Sequence, residues 1–407
     1  MMKVWLARGI VFSFVGLAIL VRNVGSWLRR KSKNDENRPF RVFLIGAFDS
    51  AGWIRAHAGP LVHCRTVDEV YVICDEPFNL NLQGVTFCCV SPRVRRWVGR
   101  GGGRLWVLFN EASRLRPQIF MGYHIMPNAP LALLASGLFG GKAIYQMTGG
   151  PIQVEGGGYR SENPLLRRTG SASWLQERLM LRLLRSCDRI VVRGSQSLEF
   201  LRAHGLEEKC FVITGAIDTD RFRPCENETH RVLVSVARLV ENKGVEEFLL
   251  TVRELAREDP AIRALLVGGG GSRGAFEELV RDWGIERNVE FCGKLADVVP
   301  VLQKGSLFFL LSPSEGMSIA MLEAMACGLP PVVLNVGDLG DAVTDGLTGM
   351  IFDGYDPGIV AGKVRTLLND PGELRKMASG ARDMVFRKYS VEAIAKRWDE
   401  NLAVICD

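Results

Sequence analysis

Cys-x-x-Cys pairs are missing from this 407-residue sequence, as are zinc-finger spacings, the Walker lysine motif and the RNA-binding sheet motif. Their absence argues against a structural zinc ribbon, P-loop chemistry and the familiar nucleic-acid modules. An excess of one charge is also lacking. Lys and Arg number 51 against 45 Asp and Glu, and a formal charge of +6 on this length does not by itself imply nucleic acid. No metal-ligand cluster is visible, and only five histidines are present. Disorder is excluded as well, since the hydrophobic set makes up 47% and charged residues 24%. What remains is a globular chain long enough for two domains. Its ten cysteines are scattered and stand mostly inside apolar runs, which indicates buried thiols in a reducing compartment.

A clean membrane-length apolar run is missing too. Residues 9–21 (GIVFSFVGLAILV) carry no charge, but thirteen helical residues cover only ~20 Å of a hydrocarbon core ~30 Å thick. Extension back to Val4 gives eighteen residues interrupted by Arg8, which nearly crosses if Arg8 snorkels to the interface. The charges before Asp35 are all positive, and five of the seven follow the apolar run; a spanning helix would leave the main body cytoplasmic. The segment reads as a weak transmembrane anchor, as a helix lying in the interface, or as a cleaved or soluble leader. Localisation at the cytoplasmic face of the membrane is the expectation. Residues 29–39 (RRKSKNDENRP) read as a tether.

From residue 40 onward, short and nearly all-apolar strands alternate with helical runs, the pattern of parallel sheets covered on both faces. Strands are expected at 40–46, 70–73, 85–89, 105–109, 119–123, 143–147, 189–192 and 210–213. The polar stretch 221–230 reads as a linker, and a second set follows at 232–237, 263–267, 289–291, 307–311, 331–334 and 350–352. The expected division is 1–38 as membrane-associating segment and tether, 39–223 and 224–387 as two open α/β domains, and 388–407 as a terminal helix returning toward the first domain.

The second domain carries the chemistry. Arg238 stands just past a strand, and Lys243 precedes Gly244 at a helix start. Two cations beside a helix N-terminus suit a diphosphate. Gly268 and Gly269 open a glycine loop after the next strand, where the backbone can approach phosphate or sugar. The run SPSEGMSIAMLEAMACGLP, residues 312–330, places Glu315 in the loop after a strand and Glu323 within the following helix. Such carboxylates can accept from sugar and ribose hydroxyls, while Gly316, Met317 and Ser318 offer backbone donors.

VARLVENKG at 236–244, LLVGGGGSR at 265–273, SEGMSIAMLEAMACGLP at 314–330 and GDLGDAVTDGLTGMIF at 337–352 resemble the retaining glycosyltransferases of the large fourth family. The resemblance implies a GT-B fold, with two Rossmann-like domains facing a central cleft, and a nucleotide diphosphate sugar as donor without a metal. It implies that Arg238 and Lys243 bind the diphosphate and assist its departure, that Glu323 takes the ribose hydroxyls, and that Glu315 faces the sugar. Gly316, Met317 and Ser318 would line phosphate and sugar through the backbone. Hexosyl transfer in polysaccharide or glycolipid synthesis is the implied type. Two other outcomes stay open: an epimerase or hydrolase of the same fold, and a non-catalytic glycan-binding partner. The sequence departs from the family at Gly215-Ala216, where Asn-Gly is usual, and at Asp341, where Glu is common.

In the first domain, His124 follows a strand in GYHIMPNAP and matches a histidine that family members aim at the donor sugar. His57, His63, His204 and His230 lack such a context. Thr148-Gly149-Gly150 reads as a turn lining the same cleft. Arg93, Arg95, Arg96, Arg100 and Arg104 cluster with Trp97 and Trp106, and no acidic residue occurs from 77 to 110. Arginine with tryptophan suits an anionic membrane surface. A lipid-linked or glycan acceptor is therefore expected, and no nucleic-acid partner.

Overall fold

The computed structural model describes residues 2–29, 39–48, 50–225 and 231–406. Residues 30–38 of the expected tether, Asp49 and residues 226–230 of the expected linker lie outside them. Two compact units result: Met1–Ala216 with Ile394–Asp407, and Ile217–Ala393.

The first unit runs α1 (Met2–Arg29), β1 (Phe40–Ile45), α2 (Ala51–Val62), β2 (Val67–Cys74), β3 (Val85–Cys89), α3 (Pro92–Leu115), β4 (Ile119–Tyr123), α4 (Asn128–Phe139), β5 (Lys142–Gln146), α5 (Pro164–Arg167), α6 (Trp174–Ser186), β6 (Arg189–Val192), α7 (Ser195–Ala203) and β7 (Cys210–Val212). Its seven strands are ordered β3-β2-β1-β4-β5-β6-β7, every pairing parallel. Strand β4 is buried at all five positions, which is why its sequence reads as continuous apolar.

The second unit runs β8 (Val232–Val236), α8 (Val245–Glu258), β9 (Arg263–Val267), α9 (Arg273–Asp282), β10 (Val289–Gly293), α10 (Val299–Leu302), β11 (Leu307–Leu310), α11 (Ile319–Ala326), β12 (Pro331–Leu334), β13 (Met350–Phe352), α12 (Pro357–Leu368) and α13 (Pro371–Lys388), with α14 (Val391–Cys406) beginning at its end. Its sheet is ordered β10-β9-β8-β11-β12-β13, again all parallel. From Ile394 onward α14 belongs to the first unit, where Asp399 accepts from the Arg65 and Thr66 amides and the Thr66 hydroxyl. Both sheets reverse strand order once, at β1/β4 and at β8/β11. Ligands of open α/β sheets bind beyond the strand carboxyl ends at such points.

Two expectations need correction. The strand expected at 105–109 is the second half of α3. Leu108 and Ala112 are buried and Leu105 and Phe109 partly buried, a helical spacing that the preceding Gly101–Gly102–Gly103 run obscures in the sequence. The apolar N-terminal segment, expected to stand apart from the first domain, is part of its core. Helix α1 lays Ala7, Val11, Val15 and Ala18 against the unit, and Val11, Val15 and Ala18 share a cluster with Leu133 and Leu134 of α4 and Leu181 of α6. It is also a helix long and apolar enough to cross a membrane by length and composition, over Lys3–Ser26.

Candidate active site

At the reversal point of the second sheet, β8 leads into Arg238 and β11 into Ser312. The loops after the two strands touch at the backbone. Gly244, left-handed at φ 66, lies so close to β11 that an added Cβ would stand 2.5 Å from the Ser312 nitrogen and closer still to the Leu311 carbonyl. The buried Ser312 hydroxyl lies 3.0 Å from the Asn242 carbonyl oxygen and 3.1 Å from that of Ser314. This clamp brings together two residues far apart in sequence. Lys243 Nζ donates to Glu315 Oε1 at 2.9 Å, with side chains 16% and 15% exposed.

Helix α11 starts beside this pair. Ser318 is its N-cap and accepts from the Met321 amide at 3.2 Å. Residues 315–320 are all partly exposed, so the positive end of the helix is presented outward while Met321, Leu322, Ala324 and Met325 are buried. Glu323 is partly exposed within this otherwise buried stretch. Arg238 is exposed.

The glycines of the loop after β9 are held by close backbone packing. A Cβ on Gly268 would overlap the Ala237 carbonyl, and one on Gly270 the Leu239 carbonyl. The Leu239 amide donates to Gly269 O at 3.1 Å and the Ser272 amide to Leu239 O at 3.1 Å. Gly268 and Gly270 thus brace the loop that carries Arg238, and Gly269 alone of the three has room on its open side, with Lys294 Cβ 3.9 Å away. A residue missed in the sequence is Gly337. At φ 56 it sits against the Glu315 carbonyl so tightly that a Cβ would overlap it, so the loop after β12 sets the height of Glu315. Its signals were a glycine just past a strand and its place at the head of the run 337–352. The Asp341 carbonyl accepts from the Tyr389 hydroxyl at 3.3 Å.

In the first unit, His124 caps β4 in a left-handed conformation, φ 66, that few non-glycine residues adopt. Its Nδ1 lies 2.8 Å from Thr148 Oγ1 and 3.1 Å from Gln153 Nε2. Gln153 in turn accepts from the buried Tyr145 hydroxyl at 2.6 Å, so the amide links the His124 ring to the core. Gly149 lies beside it, and a Cβ there would stand 2.6 Å from Gln153 Nε2 and displace that amide.

His57, set aside in the sequence, belongs to the same neighbourhood. Its ring packs on Trp53 with centroids 4.0 Å apart, and Trp53 packs on Tyr123 and Phe48 at 4.8 and 4.9 Å. Burial holds its imidazole well below the ordinary value of 6.5, and the charges of Arg193 and His124 push the same way. The available signal was Trp53, one helical turn earlier. His63 and His204 bond their own helix carbonyls, Gly59 O at 2.8 Å and Phe200 O at 2.7 Å. His230 lies outside the described residues.

The arginine cluster is less bare in space than in sequence. Arg95 pairs with Glu76 at 2.6 Å, and Arg104 makes two bonds to Asp75 at 2.7 and 2.6 Å. Arg93, Arg96, Trp97 and Trp106 are exposed. Among the described residues no group of three or more His, Cys, Asp or Glu could hold a metal ion.

Comparison with known proteins bears on the fold and on the second unit. The profile of the family Glycosyl transferases group 1 matches residues 216–384. N-acetyl-alpha-D-glucosaminyl L-malate synthase of Bacillus anthracis is 30% identical over 173 residues, 42% of this chain and 45% of that protein. Alpha-D-kanosaminyltransferase of Streptomyces kanamyceticus is 25% identical over 72% of this chain and 79% of its own. The chain spans about half the length of curated relatives it matches, 45% of the malate synthase and 48% of a D-inositol 3-phosphate glycosyltransferase of Rhodococcus jostii. Among solved structures, Anabaena HepE in complex with UDP and glucose superposes with a TM-score of 0.71, covering 90% of this chain and 100% of that one at 18% identity, a likeness of fold. The two all-parallel sheets and the likeness to HepE show a GT-B fold, and within it residues 216–384, most of the second unit, are similar to the glycosyl transferases group 1 family.

Proposed function

We propose that the protein is a retaining glycosyltransferase that moves a sugar from a nucleotide diphosphate sugar to a hydroxyl of a membrane-associated glycan or lipid. The observation that carries the reading is the Lys243–Glu315 pair beside the open N-terminus of α11 at a strand-order reversal. In this reading the diphosphate takes Lys243 as its partner, with Arg238 and the backbone amides of residues 316–318 as further donors. Glu323 accepts from the ribose hydroxyls, and Glu315, relieved of the lysine, accepts from the sugar. The bond from the anomeric carbon to the diphosphate oxygen breaks, and the acceptor oxygen bonds the same carbon on the same face. The acceptor's proton passes to the departing phosphate oxygen. Charge grows on the diphosphate in the transition state, so donors held in place there act on turnover and not only on binding. His124 is assigned to the sugar or the reaction centre.

The cytoplasmic leaflet is the proposed location, since its anionic surface suits the basic flanks of α1. The test of the transfer chemistry is Lys243→Ala. Loss of one preorganised donor to a growing oxyanion costs ~10²–10³-fold in kcat, and a folded Lys243→Ala protein with wild-type turnover would remove the lysine from the mechanism. Release of free sugar or an epimer without acceptor would favour the hydrolase or epimerase alternative.

A further inference from the structure

Helix α1 has two apolar faces, and the fold covers one. The inner stripe, Ala7, Val11, Val15 and Ala18, is 4% exposed or less. The outer stripe, Leu6, Ile10, Leu17, Leu20 and Val24, recurs at helical spacing and is open, with Leu6 and Leu20 exposed by 66% and 59%. No charged residue falls between Arg8 and Arg22, and both of those are turned to the protein. Arg8 donates to the Ser171 carbonyl and hydroxyl at 3.2 and 3.1 Å, and Arg22 to Gly141 O at 3.0 Å and to Asp188 at 2.6 Å. Helix α4 meets α1 at close range, since a Cβ on Gly137 would stand 3.0 Å from the backbone of Val21 and Arg22.

We propose that α1 is an in-plane membrane-docking helix that remains packed on the first unit while its outer stripe enters the boundary between headgroups and acyl chains of an anionic bilayer. Spanning is incompatible with the docked geometry. If α1 left alone, the Arg22–Asp188 pair, with side chains only 13% and 19% exposed, would be broken and the apolar cluster around Leu133 and Leu181 uncovered. If the unit entered with it, the exposed Arg178, Arg182 and Arg185 of α6 would be driven toward hydrocarbon.

The rim identifies a lipid surface as the occupant. The α1 N-terminus lies against the chain just before α6, where a Cβ added to Gly170 would stand 3.4 Å from Val4 Cγ2. Trp5 and Trp174 are exposed there by 75% and 72%, the placement of interfacial tryptophans. Arg167, Arg168 and Arg178 are exposed in the same segment. An apolar stripe bordered by tryptophan and cations matches an anionic interface and not a second copy bearing the same positive rim. The inference deepens the membrane part of the proposed function. Sugar transfer to a soluble acceptor analogue, measured on the same preparations, separates a failure here from a failure of the transfer chemistry.

The experiment is flotation of the full chain with vesicles of phosphatidylcholine, with and without phosphatidylglycerol, joined to amide hydrogen exchange. The expected result is recovery with the anionic vesicles, release by alkaline carbonate, and slow exchange in α4 that is the same bound and free. Leu17→Glu with Leu20→Glu should lower vesicle partition at least tenfold. The milder pair Leu17→Ser with Leu20→Ser, checked for an unchanged melting midpoint, should lower it in the same direction. Carbonate-resistant attachment with accelerated exchange in α4 would mean a spanning helix that has left the unit, and overturns the proposal. A chain that stays off vesicles overturns it too, whether it remains monomeric or forms a dimer that the glutamate pair dissolves.

Discussion

Replacing Gly244 with alanine tests whether the clamp between the loops after β8 and β11 sets the reactive geometry. The residue is left-handed, and L-residues there lose roughly 1–2 kcal/mol. The new Cβ would also stand 2.5 Å from the Ser312 nitrogen, whereas ordinary contact begins near 3.4 Å. Backbone on both sides must therefore part by ~1 Å, and neither side is the free end of a flexible chain; forced insertions of this kind add about 1–3 kcal/mol. The second unit should lose roughly 2–5 kcal/mol in all, by summing the two terms. The displacement falls between Lys243 and Ser312, so it also opens the Lys243–Glu315 distance. A misplacement of ~1 Å costs on the order of 10²-fold in rate. Thermal unfolding and donor turnover, measured below the melting range so that the folded fraction is constant, read the two effects separately. A Gly244→Ala protein with unchanged melting and unchanged turnover would refute the idea that the clamp positions the lysine.

Two further outcomes follow from the same geometry. Glu323→Gln should weaken binding of the free nucleoside diphosphate by about tenfold or more, because hydrogen bonds to a charged acceptor contribute ~1.5–3 kcal/mol; calorimetry showing unchanged affinity would take Glu323 out of the site. His57 gives a pH signature. Its folded value lies below the unfolded 6.5, so above 6.5 both states are neutral and its contribution is complete. As pH falls below that value the unfolded chain takes up a proton the folded chain refuses, and stability is lost at up to ~1.4 kcal/mol per pH unit. Between pH 7.5 and 5.5, His57→Gln should flatten the slope of melting against pH relative to the wild type, and identical slopes would show that His57 titrates alike in both states.

The resemblance to a glycosyltransferase family was legible because its carriers are local. Strands buried on both faces must be apolar at nearly every position, so β4, β11 and β12 announce themselves without knowledge of their neighbours. The helix starts at Gly244 and after Ser318 are likewise written within a few residues. The strand wrongly expected at 105–109 shows the limit of that reading, since a short apolar run after glycines suits either period until the buried face is known.

The rest depends on residues that meet only when the chain is folded. Lys243 and Glu315 stand 72 positions apart, and Gly337 touches Glu315 from a third loop. Asp75 and Glu76 reach Arg104 and Arg95, so a stretch that looks purely cationic in sequence is partly neutralised. His57 has no special context until burial and Arg193 surround it. The apolar run at the N-terminus is the clearest case. Hydropathy determined that α1 would leave water, because uncharged side chains gain from burial in any apolar medium. Only packing decided which face is buried: the inner stripe meets α4 and α6, the Arg22–Asp188 pair holds it there, and the outer stripe stays open among the described residues.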